Sequence, residues 1–496
     1  MEYLLQAVTS ILSPLGLLIN LLGVALGIVF GALPGLNGVV GVALLLPITY
    51  NMAPEFGLIM LGGLYMGATY GGSISAILLN CPGTGEAACT ALNGNPMARQ
   101  GRAKEALSYS VLSSSLGGMF GVIVMLLFTP MLARLALKFG PPEQFLVSVL
   151  GLAVVGSLMG KSLAKGIFSV AFGLILSIVG MDITSVNYRL AFGNIHLQAG
   201  LNLIPISVGF FAISEMLDLL CQAPKNELVT NTFSKFRLCD TTVDIFRRWR
   251  ILLKSSVIGT IIGILPGTGG AIASFIAYGE AKRSSKERNQ FGSGAIDGLI
   301  APESANNAAV GGSFVPLLSL GIPGSATSAI IFGALTVHGM IPGPRLFSEH
   351  ADIVYALMFG LLISVFLMLF LGLSGTRLFT KILKVNPRFI IPAVIAFSIF
   401  GAYSARNDIF DIFIAIIFGL IGLIFKRTQI PIAPAVLGMI LGSMAEQNLR
   451  QSMVIAAAKD INILAYITIR PISIILIALI SLLIWGNFKA GLRADD

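Results

Sequence analysis

The chain alternates long apolar runs with short polar stretches. The longest apolar runs cover residues 11–33, 111–132, 353–373, 409–425 and 463–485. Each run is close to the ~17–25 residues that an α-helix needs to cross a lipid bilayer. The pattern therefore predicts a polytopic membrane protein built from transmembrane helices. The start of the chain lacks the basic segment of a signal peptide, so we expect the first run to remain as a helix.

Two uncommon phrases occur twice in the same order, and each interrupts an apolar segment. Residues 31–38 read Gly-Ala-Leu-Pro-Gly-Leu-Asn-Gly, and residues 263–270 read Gly-Ile-Leu-Pro-Gly-Thr-Gly-Gly. A Gly-Gly-Ser phrase precedes Pro-Gly-Thr at 82–84, and another precedes Pro-Gly-Ser at 323–325. Because proline and glycine do not continue a helix cleanly, the pattern predicts a duplicated unit whose two copies carry matching helix breaks.

The duplication divides the chain into four expected parts. These are a first repeat over residues 1–221, a basic linker over 222–250, a second repeat over 251–458, and an extra C-terminal helix with its tail over 459–496. The fold class predicted is all-α, with two inverted-topology repeats and discontinuous or re-entrant helices. Such a fold is typical of elevator-like or related alternating-access transporters.

Charge supports the inverted arrangement of the two copies. Basic loops near residues 99–104, 161–165, 282–288 and 426–427 have fewer basic residues, or none, at the matching place in the other copy. One further pair of loops, near residues 134–138 and 377–384, is basic in both copies. Four loop comparisons against one favour inverted copies. We then expect these four loops and the linker to be cytoplasmic, the N-terminus to be periplasmic and the C-terminus to be cytoplasmic.

Composition narrows the possible functions. Of 496 residues, 55% are hydrophobic and 11% are charged, whereas a soluble domain carries about 25% charged residues. The net charge of +9 lies in short clusters between apolar segments, which indicates membrane orientation rather than nucleic-acid binding. The four cysteines lack metal-binding spacing, and three histidines are too few for a His-rich metal site.

The helix breaks are the candidate substrate site. Backbone groups freed at membrane depth must be satisfied by protein, water or ligand. The half-helix that follows each break points amides with partial positive charge outward, which favours an anion such as a carboxylate. A kink needed only for packing is the alternative, but four matching breaks favour a site. The candidate substrate-binding residues are Pro34, Gly35, Leu36, Asn37, Gly83, Thr84, Gly267, Thr268, Gly269, Gly324, Ser325 and Thr327.

Polar residues inside apolar segments are the candidate ion-coupling site. Glu303, Asn306 and Asn307 stand together among small residues, and Glu86 follows the second break. Buried oxygen atoms of this kind can hold a hard cation or a proton. The alternatives are a helix cap for Glu303, and a helix start or surface position for Glu86. No other cofactor is expected, and the coupling ion is Na⁺ or H⁺.

Other charged residues near segment ends are expected to be less important. We expect solvated positions for Glu143, Asp182, Glu215 and Glu446. Arg189 and Arg450 could attract an anion, but they rank below the helix ends.

Several long phrases together resemble the large permease subunit (TctA type) of the tripartite tricarboxylate transporters. They cover residues 31–38, 70–86, 263–278, 301–312, 318–325 and 339–344, and the resemblance extends through Pro431, Pro434, Gly438 and Arg450. It implies a bacterial inner-membrane importer that works with a small membrane subunit (TctB type) and a periplasmic solute-binding protein (TctC type). The first copy departs from the second where Asn80-Cys81-Pro82 replaces Gly321-Ile322-Pro323.

The expected function is import of a di- or tricarboxylate such as citrate, coupled to a cation gradient. The chain has no G-x-x-x-x-G-K-[ST] motif, which agrees with secondary transport. A passive channel for small organic anions is the alternative. An intramembrane enzyme is disfavoured, because neither G-x-S-x-G nor H-E-x-x-H occurs.

Overall fold

A computed structural model describes residues 2–33, 35–158, 163–182, 187–221, 238–267, 269–285, 288–375, 379 and 387–492. The first half contains α1 (Glu2–Leu12), α2 (Pro14–Ala32), α3 (Gly38–Thr49), α4 (Pro54–Leu79), α5 (Ala88–Met97), α6 (Ala103–Ala136), α7 (Pro141–Leu158), α8 (Leu163–Ser177), α9 (Ile195–Gln198), α10 (Leu203–Ser207) and α11 (Ser214–Cys221). Short 3₁₀ or π-helical turns join several of them, at Gly85–Ala87, Ala98–Arg102 and Val208–Ile213.

The second half contains α12 (Leu238–Arg247), α13 (Trp249–Ile264), α14 (Gly269–Ser284), α15 (Asp297–Leu320), α16 (Ala326–Val337), α17 (Leu346–Glu349), α18 (Ala351–Ser374), α19 (Pro387–Ser404), α20 (Ile409–Arg427), α21 (Ala433–Ala458), α22 (Ile463–Thr468) and α23 (Pro471–Leu492). The part of the predicted linker that the structure describes is thus helical, and residues 222–237 lie outside it. One short antiparallel pair of strands, β1 (Gly180–Met181) and β2 (Tyr188–Arg189), accompanies the helices.

Within the described part of the chain, five stretches are long and apolar enough to cross a membrane, which confirms the prediction of a multi-pass membrane protein. They are Pro14–Ala32, Gly85–Ala136, Leu203–Cys221, Ala351–Ser374 and Ile409–Arg427. Several shorter apolar helices, α3 and α16 among them, lie between these candidate spans.

The predicted continuous span over residues 463–485 is wrong. It is divided into α22 and α23 at Arg470, because the Arg470 guanidinium turns to the buried carboxylate of Glu143 at 2.6 Å and Pro471 starts a new helix. Glu143 also accepts hydrogen bonds from Ser473 and from the backbone amide of Gly140. Glu143 is 1% exposed, so the expectation that it is solvated is also wrong.

Helix α2 and helix α3 form an antiparallel hairpin beside α4. Gly23, Gly27 and Gly31 of α2 lie against the carbonyls of Met60, Leu64 and Ala68 in turn, so α2 and α4 run in the same direction. On α3 the order is reversed, because Gly38 contacts Ala68 and Gly41 contacts Leu64. The described residues of the hairpin tip, 33 and 35–37, therefore reach into the molecule at the depth of the middle of α4.

Helices α13 and α14 form a second hairpin beside α15. Gly259 and Gly263 of α13 lie against the carbonyls of Ala305 and Ala309, which makes α13 and α15 parallel. Lys254 near the start of α13 forms an ion pair with Glu280 near the end of α14, so both ends of this hairpin lie on the same side. The described residues of its tip are 265–267.

Helices α4 and α15 cross the centre of the molecule in opposite directions. Asn307 lies beside Met66, Asn306 beside Thr69, and Glu303 beside Ser73. Both helices are almost completely buried along their length. Small residues permit this close packing, which relies on van der Waals contact because lipid gives helices no hydrophobic drive to associate.

Candidate ligand cavity

A cavity of about 110 Å³ lies where the four helix breaks meet. That volume holds several water molecules or a small ligand. The first break supplies Asn37, the second supplies Thr84, the start of α14 supplies Ala271, and the fourth supplies Thr327. The complete lining is Asn37, Gly38, Val39, Tyr65, Thr69, Thr84, Gly85, Glu86, Ala271 and Thr327.

The first hairpin tip presents the beginning of α3 to the cavity. Gly35 adopts a φ of 86°, which reverses the chain at little steric cost. Asn37 then caps the helix, since its Oδ1 accepts a hydrogen bond from the amide of Val40 at 3.0 Å. Leu36 is buried in the protein, and Pro34 lies outside the described residues.

The second break follows α4, which ends at Asn80 in the left-handed conformation. The chain then turns back toward α4, where the amide of Gly83 donates a hydrogen bond to the carbonyl of Gly72 at 3.3 Å. Gly83 lies against the carbonyl of Gly31, where a Cβ would overlap backbone. This close approach places Thr84 at the cavity.

The third and fourth breaks are bonded directly to each other. The amide of Gly267 donates to the carbonyl of Gly324 at 3.0 Å, which joins the second hairpin tip to the loop after α15. Gly324 lies against the carbonyl of Gly263, as Gly83 lies against Gly31. Gly269 begins α14, and Thr268 lies outside the part of the chain that is described.

The fourth break is capped from within and tied to α4. Ser325 and Ser328 form a capping box at the start of α16. The hydroxyl of Ser325 is also 2.9 Å from the hydroxyl of Tyr65, which lines the cavity. Thr327, in the first turn of α16, faces the cavity.

The polarity of the lining comes from helix starts and neutral side chains. The first turns of α3, α14 and α16 all contribute lining residues, and so does the 3₁₀ turn that begins at Gly85. Free amides and helix dipoles give these ends partial positive charge. Among the described lining residues none is Lys, Arg or His, and Glu86 is the charged one.

The two arginines that ranked lower in the sequence analysis lie elsewhere. Arg450 pairs with Asp182 at 2.9 Å and with Glu446, and Arg189 pairs with Glu446 at 2.6 Å. Asp182 is buried in this network, so the expectation that it is solvated is wrong.

The four candidate ion-coupling residues occupy different surroundings. Glu86 lines the cavity, and a side chain at Gly270 would meet both Glu86 and Asn306. Asn306 is buried, and its Oδ1 has no hydrogen-bond partner among the described residues. Asn307 instead turns toward Met66 and the sulfur of Met368.

Glu303 is 0% exposed and lies in the second turn of α15, beyond the helix start, so the alternative of an interfacial helix cap is wrong. Its carboxylate accepts hydrogen bonds from four side-chain hydroxyls, which we call the hydroxyl cage. Two of the distances to Glu303 are 2.6 Å from Ser73 and 2.7 Å from Ser114. The hydroxyl cage consists of Ser73, Thr90, Ser110 and Ser114.

The sequence analysis missed Tyr65, Thr69 and the hydroxyl cage. The available signal was the presence of hydroxyl side chains in otherwise apolar helices. That signal is weak, because a serine or threonine in a helix often bonds only to the carbonyl one turn earlier.

A cavity lined by the ends of broken helices is the kind of site that membrane transporters use. Residues 17–437 match the sequence profile of the family described as "Tripartite tricarboxylate transporter TctA family". The chain belongs to this family of membrane permease subunits, and it is therefore a transporter and not an enzyme. The resemblance drawn from the sequence phrases is thus confirmed.

Two relatives come from Agrobacterium vitis. The "Uncharacterized 52.8 kDa protein in TAR-I ttuC' 3'region" is 38% identical over 445 residues, which cover 90% of this chain and 88% of the relative. The "Uncharacterized protein in TAR-II ttuC' 3'region" is 38% identical over 198 residues, which cover 40% of this chain and 82% of the relative. No solved structure matches the chain.

Proposed function

We propose that the chain is the permease of a binding-protein-dependent importer that moves a di- or tricarboxylate with a cation. The observation that carries this proposal is the meeting of four helix breaks at one cavity. Helix starts supply partial positive charge without a basic side chain, and they are suited to the carboxylate groups of a substrate that must later leave. A citrate-like acid is the substrate class proposed.

The two halves are proposed to be inverted repeats. Helix α2 is parallel to α4, α13 is parallel to α15, and α4 is antiparallel to α15. The two groups of helices consequently run in opposite directions. The paired contacts of Gly83 with Gly31 and of Gly324 with Gly263 support the same correspondence.

The substrate-binding role is proposed for the residues at the four breaks. Asn37, Thr84 and Thr327 have side chains at the cavity, while the glycines 35, 83, 267, 269 and 324 let the backbone turn or approach closely. Ion coupling is proposed for Glu86 and Asn306, which lie beside the cavity. It is also proposed for Glu303 and Asn307, which lie on either side of Asn306 in the sequence of α15. The coupling ion would be Na⁺ or H⁺.

Transport is proposed to follow alternating access, with the unit of broken helices moving against a scaffold of longer helices. A small TctB-type membrane subunit and a periplasmic TctC-type solute-binding protein would complete the importer. The basic linker and the α13–α14 ends would face the cytoplasm of a bacterial inner membrane, with the N-terminus periplasmic. Arg248 pairs with Asp297, which supports a common side for the starts of α13 and α15.

Uptake of radiolabelled citrate and of a dicarboxylate into vesicles carrying the complete importer tests the proposal. Asn37→Ala removes the cap of α3 at the cavity and should reduce uptake at least about fivefold, since helix caps contribute about 1 kcal/mol, which is a factor of about five, and this one also faces the substrate. Asn462→Ala removes a comparable cap at α22, outside the cavity, and should leave uptake unchanged. Equal uptake by both variants would contradict the site.

The same vesicles separate the permease from a passive channel. Collapse of the Na⁺ gradient or of the proton gradient should stop accumulation of the carboxylate by a coupled permease. Flux that follows only the substrate's own gradient would favour the channel.

A further inference from the structure

Glu303 carries a buried acidic group, and no cationic side chain among the described residues pairs with it. All of its hydrogen-bond partners in the described residues are neutral hydroxyls. Glu303 is 0% exposed, and each hydroxyl of the cage is 5% exposed or less. A lone carboxylate in such a place is costly, because burial removes the screening of its charge by bulk solvent and its described neighbours carry no positive charge.

The hydroxyl cage brings oxygen atoms from separate helices to one point. Ser73 comes from α4, Thr90 from α5, and Ser110 and Ser114 from α6, while Glu303 comes from α15. Together they provide two carboxylate oxygens and four hydroxyl oxygens. A hydroxyl in a helix can instead donate to the carbonyl one turn earlier and turn a lone pair inward.

The same oxygen atoms are therefore suited to a small hard cation. Hard cations take carboxylate and other oxygen ligands, whereas transition metals prefer imidazole and thiolate. In the described residues no group of three His, Cys, Asp or Glu side chains could hold a metal ion. One carboxylate balances one positive charge, which favours a monovalent ion over Ca²⁺ or Mg²⁺.

A proton fits this arrangement less well than a metal cation. An ionised carboxylate has about four lone-pair positions for hydrogen bonds, and four hydroxyls donate to Glu303. A proton on Glu303 needs only one acceptor, which a single turned hydroxyl would supply, so it makes no use of the six oxygen atoms that converge here, whereas a hard cation takes about six oxygen ligands. A cation would neutralise the charge while each hydroxyl keeps a partner in its own helix.

We propose that Glu303 and the hydroxyl cage bind Na⁺. This proposal rests on the proposed permease function, and it names the coupling ion and its ligands. Thr90 lies four residues after Glu86, and Asn306 lies three residues after Glu303. Both Glu86 and Asn306 lie beside Gly270 at the cavity, so the Na⁺ site and the cavity share two helical segments.

The thermal unfolding midpoint of the purified full-length chain tests the proposal. NaCl should raise the midpoint in a saturable manner, while KCl and choline chloride at the same ionic strength should not, because only a ligand that binds the folded state stabilises it. Glu303→Gln should abolish the Na⁺ response. Ser114→Ala should raise the half-saturating Na⁺ concentration at least about tenfold, as expected for loss of one ligand.

Ser113→Ala is the matched control. Ser113 is a buried serine next to Ser114 on α6, and it does not contact Glu303. The control should keep the wild-type response to Na⁺. The proposal would be overturned if Na⁺ did not change the unfolding midpoint of the wild-type chain, or if Ser114→Ala and Ser113→Ala responded equally to Na⁺. Both outcomes can be measured even if Glu303→Gln fails to fold.

Failure of this proposal can be told apart from failure of the permease function. If the complete importer accumulates a carboxylate while the midpoint ignores Na⁺, the Na⁺ site is refuted and the permease stands. If no carboxylate accumulates under any ion gradient, the permease function is refuted, and the Na⁺ response of the purified chain still decides whether the site binds Na⁺.

Discussion

Glu86 and Glu303 are acidic residues in similar small-residue segments, yet their surroundings differ. Glu86 stands in a 3₁₀ turn and lines a cavity with helix starts from other parts of the chain. Glu303 lies inside a buried helix, in its second turn, and hydroxyls surround its carboxylate. The difference indicates that one carboxylate is open to an exchanging ligand, whereas the other also holds helices together.

The largest expected effect on stability follows from removal of the Glu303 carboxylate. Glu303→Leu takes away four hydrogen bonds to a charged group, each worth about 1.5–3 kcal/mol, although the hydroxyls recover part of this by bonding within their own helices. We expect a loss of about 3–5 kcal/mol, as for other broken buried charge networks. Denaturant unfolding in detergent without Na⁺ measures it, and a loss below 1 kcal/mol would show that the cage contributes little.

Glu86→Gln should have a small effect on stability and a large effect on uptake of the carboxylate. Unfolding should change by less than about 1 kcal/mol, because Glu86 is not enclosed by donors in the same way. Uptake of the carboxylate should fall at least about tenfold, since the variant lacks the acidic group that is proposed to take the coupling ion beside the substrate. Unfolding and vesicle uptake measured on the same preparation give both values. If Glu86→Gln kept normal uptake and strongly destabilised the protein, Glu86 would have the structural role that is assigned here to Glu303.

A smaller effect is expected at the contact between Tyr65 and Ser325. Tyr65→Phe removes one hydroxyl and its bond to the cap of α16, which is worth about 1 kcal/mol. The concentration of carboxylate that half-saturates uptake should rise several-fold, with little change in unfolding. Tyr355→Phe, on α18 and outside the cavity lining, is the control and should change neither quantity.

The sequence predicted the interruptions but not what surrounds them. Proline and glycine mark the breaks by their backbone chemistry alone, so residues 31–38 and 263–270 were recognisable without a structure. The bond between Gly267 and Gly324 joins two breaks that are distant in sequence, and nothing local in the chain specifies it. The hydroxyl cage was missed for the same reason, because its members come from three helices.

Charged residues near segment ends were the least predictable part of the fold. Glu143 and Arg470 are separated by more than half of the chain. Glu143 alone reads as a solvated residue near the end of an apolar run, and Arg470 lies inside the predicted span over residues 463–485. Once paired, they bury a carboxylate and divide a predicted span into two helices. Pairing across such a distance is decided by tertiary packing, which single-sequence patterns do not report.

Protection of engineered cysteines by substrate tests the central claim most directly, which is that separate helix breaks enclose one carboxylate. Thr84→Cys and Thr327→Cys would each be introduced into a chain whose four native cysteines are replaced, with Thr336→Cys at the exposed end of α16 as the control. The account predicts that a transported carboxylate slows maleimide labelling at positions 84 and 327 alike and leaves position 336 unaffected. Labelling at 84 and 327 that ignores the carboxylate, in vesicles that still import it, would contradict the account.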